Sequence, residues 1–139
     1  MRLTDILLCE YIKLPLDAKD RNEAIKKLVD LLGLHEVIED TNQAYKAVLD
    51  REKIMTTGVG NGIAIPHCKD SSCPNFAVAM GIHKKGLNFE SIDKKDVRIV
   101  FLLVGPENNP GLHIKLLSRI SRLMSNEDLR EELLECKTS

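Results

Sequence analysis

The order of segments along the chain predicts an α/β (α+β) domain, a mixed β-sheet flanked by helices. Three observations carry this. Two amphipathic helical stripes come first, a strand-like middle follows, and two more helical stripes close the sequence. The run Ile99-Val100-Phe101-Leu102-Leu103-Val104 is apolar at every position, as in a central strand covered on both faces. Finally, 139 residues suffice for one sizeable core, and no linker, repeat or low-complexity tract divides 1–139 into more than one domain.

Each element has its own signal. Asp20 with Glu23 three residues later is a capping-box pattern, and Ala24, Ile25, Leu28, Leu31 and Leu32 recur at helical spacing. A helix over 21–32 follows, stopped by Gly33. Asp40 or Thr41 caps a second helix over 41–52, with Ala44, Tyr45, Val48 and Leu49 inward and Arg51 at its C-terminal end. Ile63-Ala64-Ile65 reads as a short buried strand ended by Pro66, which has no amide hydrogen for a ladder. Phe76, Val78, Met80 and Ile82 alternate with smaller residues, the pattern of a half-buried strand. Gly105-Pro106 ends the central strand. Leu112, Leu116, Leu117, Ile120, Leu123 and Met124 predict a third helix, and Ser125 or Asn126 caps a fourth carrying Leu129, Leu133 and Leu134.

Composition narrows the function. The apolar fraction of 43% and charged fraction of 29% are those of an ordinary globular domain, and the formal net charge is −1 without blocks of like charge. Nucleic acid and anionic lipid are therefore not expected as partners. No run of about 18 apolar residues is present, so no membrane insertion is expected. The start, Met1-Arg2-Leu3-Thr4-Asp5, lacks the apolar core of a signal peptide. A cytoplasmic location is the expectation, with Cys9, Cys68, Cys73 and Cys136 as free thiols.

The most informative segment is Arg51-Glu52-Lys53-Ile54-Met55-Thr56-Thr57-Gly58-Val59-Gly60-Asn61-Gly62-Ile63-Ala64-Ile65-Pro66-His67. Glycines allow sharp turns and close approach of a ligand to the main chain. His67 follows them at a strand end, where an imidazole can be presented to a partner. A neutral imidazole near pH 7 can attack phosphorus, provided its other nitrogen is held by an acceptor, for which a nearby carbonyl is the candidate. Arg51 can hold phosphate oxygens through paired hydrogen bonds, although a solvated helix-end arginine fits its spacing equally. His113 falls after a Gly-Pro loop at a helix start, where free amides and the positive dipole end favour a phosphoryl group; a helix-capping polar residue is the plainer reading. Thr56 and Thr57 are read as turn-capping threonines, and His35 and His83 as surface residues.

In its full order this segment resembles the signature around the phosphorylated histidine of enzyme IIA proteins of the fructose/mannitol class (type 2). These belong to the bacterial phosphoenolpyruvate-dependent phosphotransferase system. The nitrogen-regulatory branch resembles it most, with a loop reading close to T-G-x-G-N-G-I-A-I-P-H. Val104-Gly105-Pro106 with His113-Ile114-Lys115-Leu116-Leu117 matches the family's second-histidine motif. The resemblance implies a phosphotransferase-type layered sandwich like that of anion-transport proteins. It also implies phosphorylation of His67 by HPr or its nitrogen-branch relative, with Arg51 and His113 assisting. The group would pass to an EIIB domain or remain as a regulatory mark, with no cofactor or metal needed.

Two departures stand out. The family usually has glycine directly after the active histidine, where this chain has Cys68, so a positive φ there would be strained. Family members also run somewhat further, which implies a shortened or frayed last helix. One rival chemistry is a metal-dependent hydrolase with His67, Cys68, Cys73 and His113 as ligands, although the Cys68-x4-Cys73 spacing is no standard zinc pattern. Another is a regulatory binding protein switched by charge on His67.

Overall fold

The computed structural model describes residues 2–135. A short helix α1 (Leu3–Ile6) and a 3-10 turn (Cys9–Tyr11) lead into β1 (Ile12–Lys13). Helices α2 (Arg21–Leu34) and α3 (Thr41–Ile54) follow, then β2 (Gly58–Gly60), β3 (Ile63–Ala64), β4 (His67–Lys69), β5 (Ala77–Leu87) and β6 (Val97–Gly105). Helices α4 (Pro110–Met124) and α5 (Glu127–Glu135) complete the order. The expected fraying of the last helix, and Cys136, lie outside the described residues.

Local chemistry accounts for the helix starts. The Asp20 and Asp40 side chains accept the amides of Glu23 (2.8 Å) and Gln43 (3.1 Å), and Asn109 and Asn126 do the same for α4 and α5. Gly33 does not stop α2, which runs on to Leu34. Its missing side chain instead leaves room for the Thr41 methyl group at the start of α3. A glycine at a helix–helix contact is indistinguishable in sequence from a terminating one.

The sheet is organised around β6. On one side β6 pairs antiparallel with β5, which in turn pairs in parallel with β1. On its other side β6 pairs in parallel with two strands in succession: β3 along Ile99–Val100 and β4 along Leu103–Gly105. Pro66 occupies the break between them, and its carbonyl still accepts the Leu103 amide at 3.0 Å. The expectation that Pro66 ends the strand is thus corrected: it interrupts one, and pairing resumes at His67.

Strand alternation divides the core into two layers. Val100, Leu102 and Val104 of β6 pack with Ala24, Ile25, Leu28, Val29, Leu32, Ala44 and Val48 of α2 and α3. Ile99, Phe101 and Leu103 pack with Leu116, Ile120 and Met124 of α4. β5 serves both layers, so the half-buried strand expected from its alternation is covered on both faces. Ala77 and Ala79 are small because α2 lies close above them, and a side chain on Gly81 would run into Leu16. On α4 the buried positions are His113, Leu116, Ile120 and Met124, while Leu123 is half exposed. His113 therefore belongs to the core-facing stripe.

Gly60, Asn61 and Gly62 all have positive φ (101°, 58° and 77°) and form the tight turn joining β2 to β3. Asp93 accepts the Asn61 amide at 3.0 Å. The glycines are thus used to reverse the chain.

Cys68 is not among the positive-φ residues and continues β4 as ordinary strand. It is 4% exposed and packs in the α2/α3 layer with Cys73. Glycine would therefore relieve no strain there. Cys68→Gly should destabilise the fold by about 2 kcal/mol, through lost burial and added chain entropy. Urea unfolding checks this, with a lowered midpoint expected and an unchanged or raised one contradicting it.

Candidate functional site

α3 and α4, on opposite faces of the sheet, both reach the edge formed by β4, which among the described residues pairs with β6 alone. Between them opens a cleft of about 430 Å³, lined among others by Arg51 and Asp50 from α3, His67 and Lys69 from β4, and His113 from α4. Ile54 and Ile114, 80% and 64% exposed, form part of its apolar rim. The three residues singled out from the sequence, His67, His113 and Arg51, meet here.

The His67 ring is fixed by its own strand break. Its Nδ1 lies 2.8 Å from the Ile65 carbonyl oxygen. A carbonyl can only accept, so Nδ1 carries the hydrogen, and Nε2 of the neutral ring keeps its lone pair. The nearby carbonyl expected from sequence is that of Ile65, two residues back across Pro66. Burial lowers the His67 pKa from its ordinary value; the Ile65 bond opposes this, and the charges of Arg51 and Lys69 add to it. The ring is thus neutral and nucleophilic at pH 7.

His113 is 3% exposed, with its ring centroid 5.4 Å from that of His67 and 6.2 Å from that of Phe76. Among the described residues neither of its ring nitrogens has a hydrogen-bond partner. Leaving such a group unpaired costs roughly 1–3 kcal/mol, which an incoming acceptor oxygen would offset. Burial, with the charges of His67 and Lys69, pushes its pKa down to about 4. Most of the free amides expected at this helix start are spent or absent. The His113 amide is spent on the Asn109 carbonyl, the Leu112 amide on the Asn109 side chain, and Pro110 has none. His113 contributes a buried ring, placed by its phase with Leu116 and Ile120.

Arg51 is half-buried one turn before the end of α3, with Nη1 donating to the Met55 carbonyl at 3.0 Å. Two further residues have roles that residue type alone did not reveal. Lys69 stands two residues after His67 on the same strand face, a relation that period-2 alternation could have shown. Glu52 is buried and accepts from Thr57 twice, from the amide at 2.7 Å and the hydroxyl at 2.6 Å. Thr56 caps its turn as expected, its hydroxyl accepting the Gly58 amide and donating to the Phe89 carbonyl. Thr57 is 4% exposed and serves Glu52 instead.

The remaining candidates separate from the cleft chemistry. Gly60 and Asn61 line a different small cavity with Ser121 and Met124, so the glycine turn does not cradle His67. Cys68 alternates away from His67 into the layer that holds Cys73; that neighbour and burial push the Cys68 thiol up. Among the described residues no three His, Cys, Asp or Glu side chains converge as metal ligands, so the four-residue metal arrangement is not formed. His35 is exposed, as expected. His83 is part-buried, with both ring nitrogens engaged: its Nε2 donates to the Ala18 carbonyl and its Nδ1 accepts the Gly86 amide, both at 2.9 Å. No helix among the described residues is long and apolar enough to cross a membrane.

A three-layer domain that offers an uncharged ring nitrogen beside a second imidazole and two cations suits the handling of phosphoryl groups. Residues 5–139 match the family model of the phosphoenolpyruvate-dependent sugar phosphotransferase system, EIIA 2, and the chain belongs to that family. Components of this family are phosphotransferases that carry phosphohistidine. The chain is 38% identical over 139 residues to the PTS system fructose-specific EIIABC component of Bacillus subtilis, covering 99% of itself but only 22% of that protein. It is 35% identical over 141 residues to the fructose-specific EIIA component of Haloferax volcanii, covering 99% of itself and 92% of that protein. The crystal structure of nitrogen regulatory protein IIA-Ntr from Neisseria meningitidis superposes with a TM-score of 0.90 at 27% identity, over 96% of this chain and 91% of that one.

The depressed His113 pKa sets a pH dependence. The unfolded chain binds a proton near 6.5 that the folded chain refuses until about 4, so the unfolded state holds more protons in between. Stability should therefore fall as pH drops from 6.5 toward 4, by on the order of 3 kcal/mol from this group, with His67 acting in the same direction. Urea midpoints at pH 7 and pH 4.5 measure it. His113→Gln should flatten the difference, and an equally steep loss in that variant would contradict the assignment.

Proposed function

We propose that His67 accepts a phosphoryl group on Nε2 from an HPr-type phosphocarrier and passes it to an EIIB domain. The single observation that carries this reading is the Nδ1–Ile65 hydrogen bond, which leaves Nε2 as the free nucleophile. In the transfer the Nε2 lone pair forms the new N–P bond as the donor's bond to phosphorus breaks, its electrons leaving with the donor. The Nδ1 hydrogen stays in place, so the positive charge formed on the ring is shared with the Ile65 carbonyl. Arg51 and Lys69 offset charge on the phosphoryl oxygens, and His113 donates one ring N–H to them. No chemistry beyond positioning and charge stabilisation is required of the protein.

A second reading keeps the same site and makes the phosphoryl group a regulatory mark that changes partner affinity. The likeness to the nitrogen regulatory protein over nearly the full length of both chains favours it. Phosphoryl relay to a purified EIIB domain separates the two readings.

Incubation with phosphoenolpyruvate, enzyme I and HPr, followed by intact-mass measurement, should show one phosphoryl group, acid-labile and base-stable as an N–P bond is. His67→Ala should abolish the label; undiminished labelling would refute the assignment. Arg51→Ala should slow labelling roughly ten- to a thousandfold, and His113→Ala should label more slowly than wild type. Wild-type rates in both would place neither side chain near phosphorus. Because the His67 pKa is lowered, the labelling rate should stay level from pH 8 to 6.5 and fall only below the ordinary histidine range.

A further inference from the structure

Arg51 and His67 sit on different elements, and a transfer site needs them in fixed relation. The segment between them is tied down three times within three residues. Arg51 donates to the Met55 carbonyl, Thr56 to the Phe89 carbonyl, and Thr57 donates twice to Glu52. Glu52 directly follows Arg51 on α3; successive helical positions diverge by about 100°, so Arg51 turns to the cleft while Glu52 turns inward. From Thr57 the connection continues across the hairpin. The Thr57 carbonyl accepts the Ile65 amide at 3.0 Å, and the Ile65 carbonyl accepts His67 Nδ1–H at 2.8 Å. One hydrogen-bonded line thus runs Glu52, Thr57, Ile65, His67.

The Glu52 carboxylate is an expensive way to build this line. It is 5% exposed, and no ion pair with it occurs among the described residues. Burying a carboxylate against two neutral donors costs more than burying an apolar pair of the same shape. In return, the two bonds to Glu52 are short, at 2.6 and 2.7 Å, and fix both carboxyl oxygens against one residue. Such an arrangement contributes register more than stability.

We infer that Glu52 and Thr57 form a positioning clamp for phosphoryl transfer, holding His67 Nε2 at a fixed reach from the Arg51 guanidinium. Neither residue touches the phosphoryl group or its donor. Both act through Ile65, whose amide is held by Thr57 and whose carbonyl sets the His67 ring. The inference rests on the proposal that His67 carries the phosphoryl group.

The test compares Thr57→Val, Thr57→Ser, Glu52→Gln and Glu52→Ala in the full chain with phosphorylated HPr as donor. Thr57→Val deletes one hydroxyl at nearly constant volume and keeps the Thr57 amide bond, so it remains informative if Glu52→Ala fails to fold. Thr57→Val should lower the maximal transfer rate roughly ten- to a hundredfold while leaving the KM for the donor unchanged. Thr57→Ser, which keeps the hydroxyl, should restore it, and Glu52→Gln should fall between. Nitrogen-15 NMR of His67 should find the Nδ1–H tautomer in wild type and a mixed population in Thr57→Val. Wild-type rates together with an unmixed tautomer in Thr57→Val would overturn the clamp. A wild-type protein that takes no label would instead sink the phosphocarrier reading, and the tautomer comparison would still decide whether the clamp sets the ring.

Discussion

A single hydrogen bond, from His67 Nδ1 to the Ile65 carbonyl, organises the site. Pro66 has no amide N–H, so the chain that runs beside β6 as β3 cannot keep an unbroken ladder and must let go for a residue before resuming as β4. The Ile65 amide faces Thr57 on the other side, so the Ile65 carbonyl points away from β6, and the first residue to rejoin the ladder, His67, donates to it. Ring orientation and tautomer follow from that bond. The two core layers hold it in place from either face, because β6 fills both with alternating large apolar side chains.

Electrostatics then keeps the site receptive. Two imidazoles whose centroids lie 5.4 Å apart disfavour being charged together; burial and Lys69 disfavour the charged form of each, and Arg51 that of His67. The cleft therefore presents positive charge from residues that cannot act as nucleophiles at neutral pH and a lone pair from one that can. An incoming anion meets attraction and a nucleophile in the same place.

Much of this was legible in the sequence. The helices were marked by Asp20 and Asp40 and by stripes such as Leu28 and Leu32, and the fully apolar run 99–104 identified the central strand. His67, His113 and Arg51 were marked by their order and spacing. What was not legible depended on tertiary geometry. Gly33 reads as a helix stop, yet it is a contact point for Thr41, and nothing local distinguishes the two. Ala77, Ala79 and Gly81 read as the solvent side of a strand, although small residues equally admit a close helix. His113 reads as a cap because polarity outweighs phase in a short window, and only the buried Leu116 and Ile120 reveal which face it shares. The turn at Gly60-Asn61-Gly62 reads as a ligand loop because positive φ serves hairpins and ligands alike. Glu52 was hidden for a simpler reason: a glutamate on a helix is ordinarily solvated, and its partner Thr57 is recognised only once the chain has folded back.

The alternation of β4 also separates two kinds of selection. His67 and Lys69 answer to the cleft, whereas Cys68 between them answers to the α2/α3 layer, where it meets Cys73. A lineage can therefore re-tailor position 68 to the volume of its own helix layer without disturbing the residues on either side. In three consecutive positions the chain is free to drift in the middle one and constrained in the outer two. Variation next to His67 is then a record of how the interior was packed, with little bearing on the cleft.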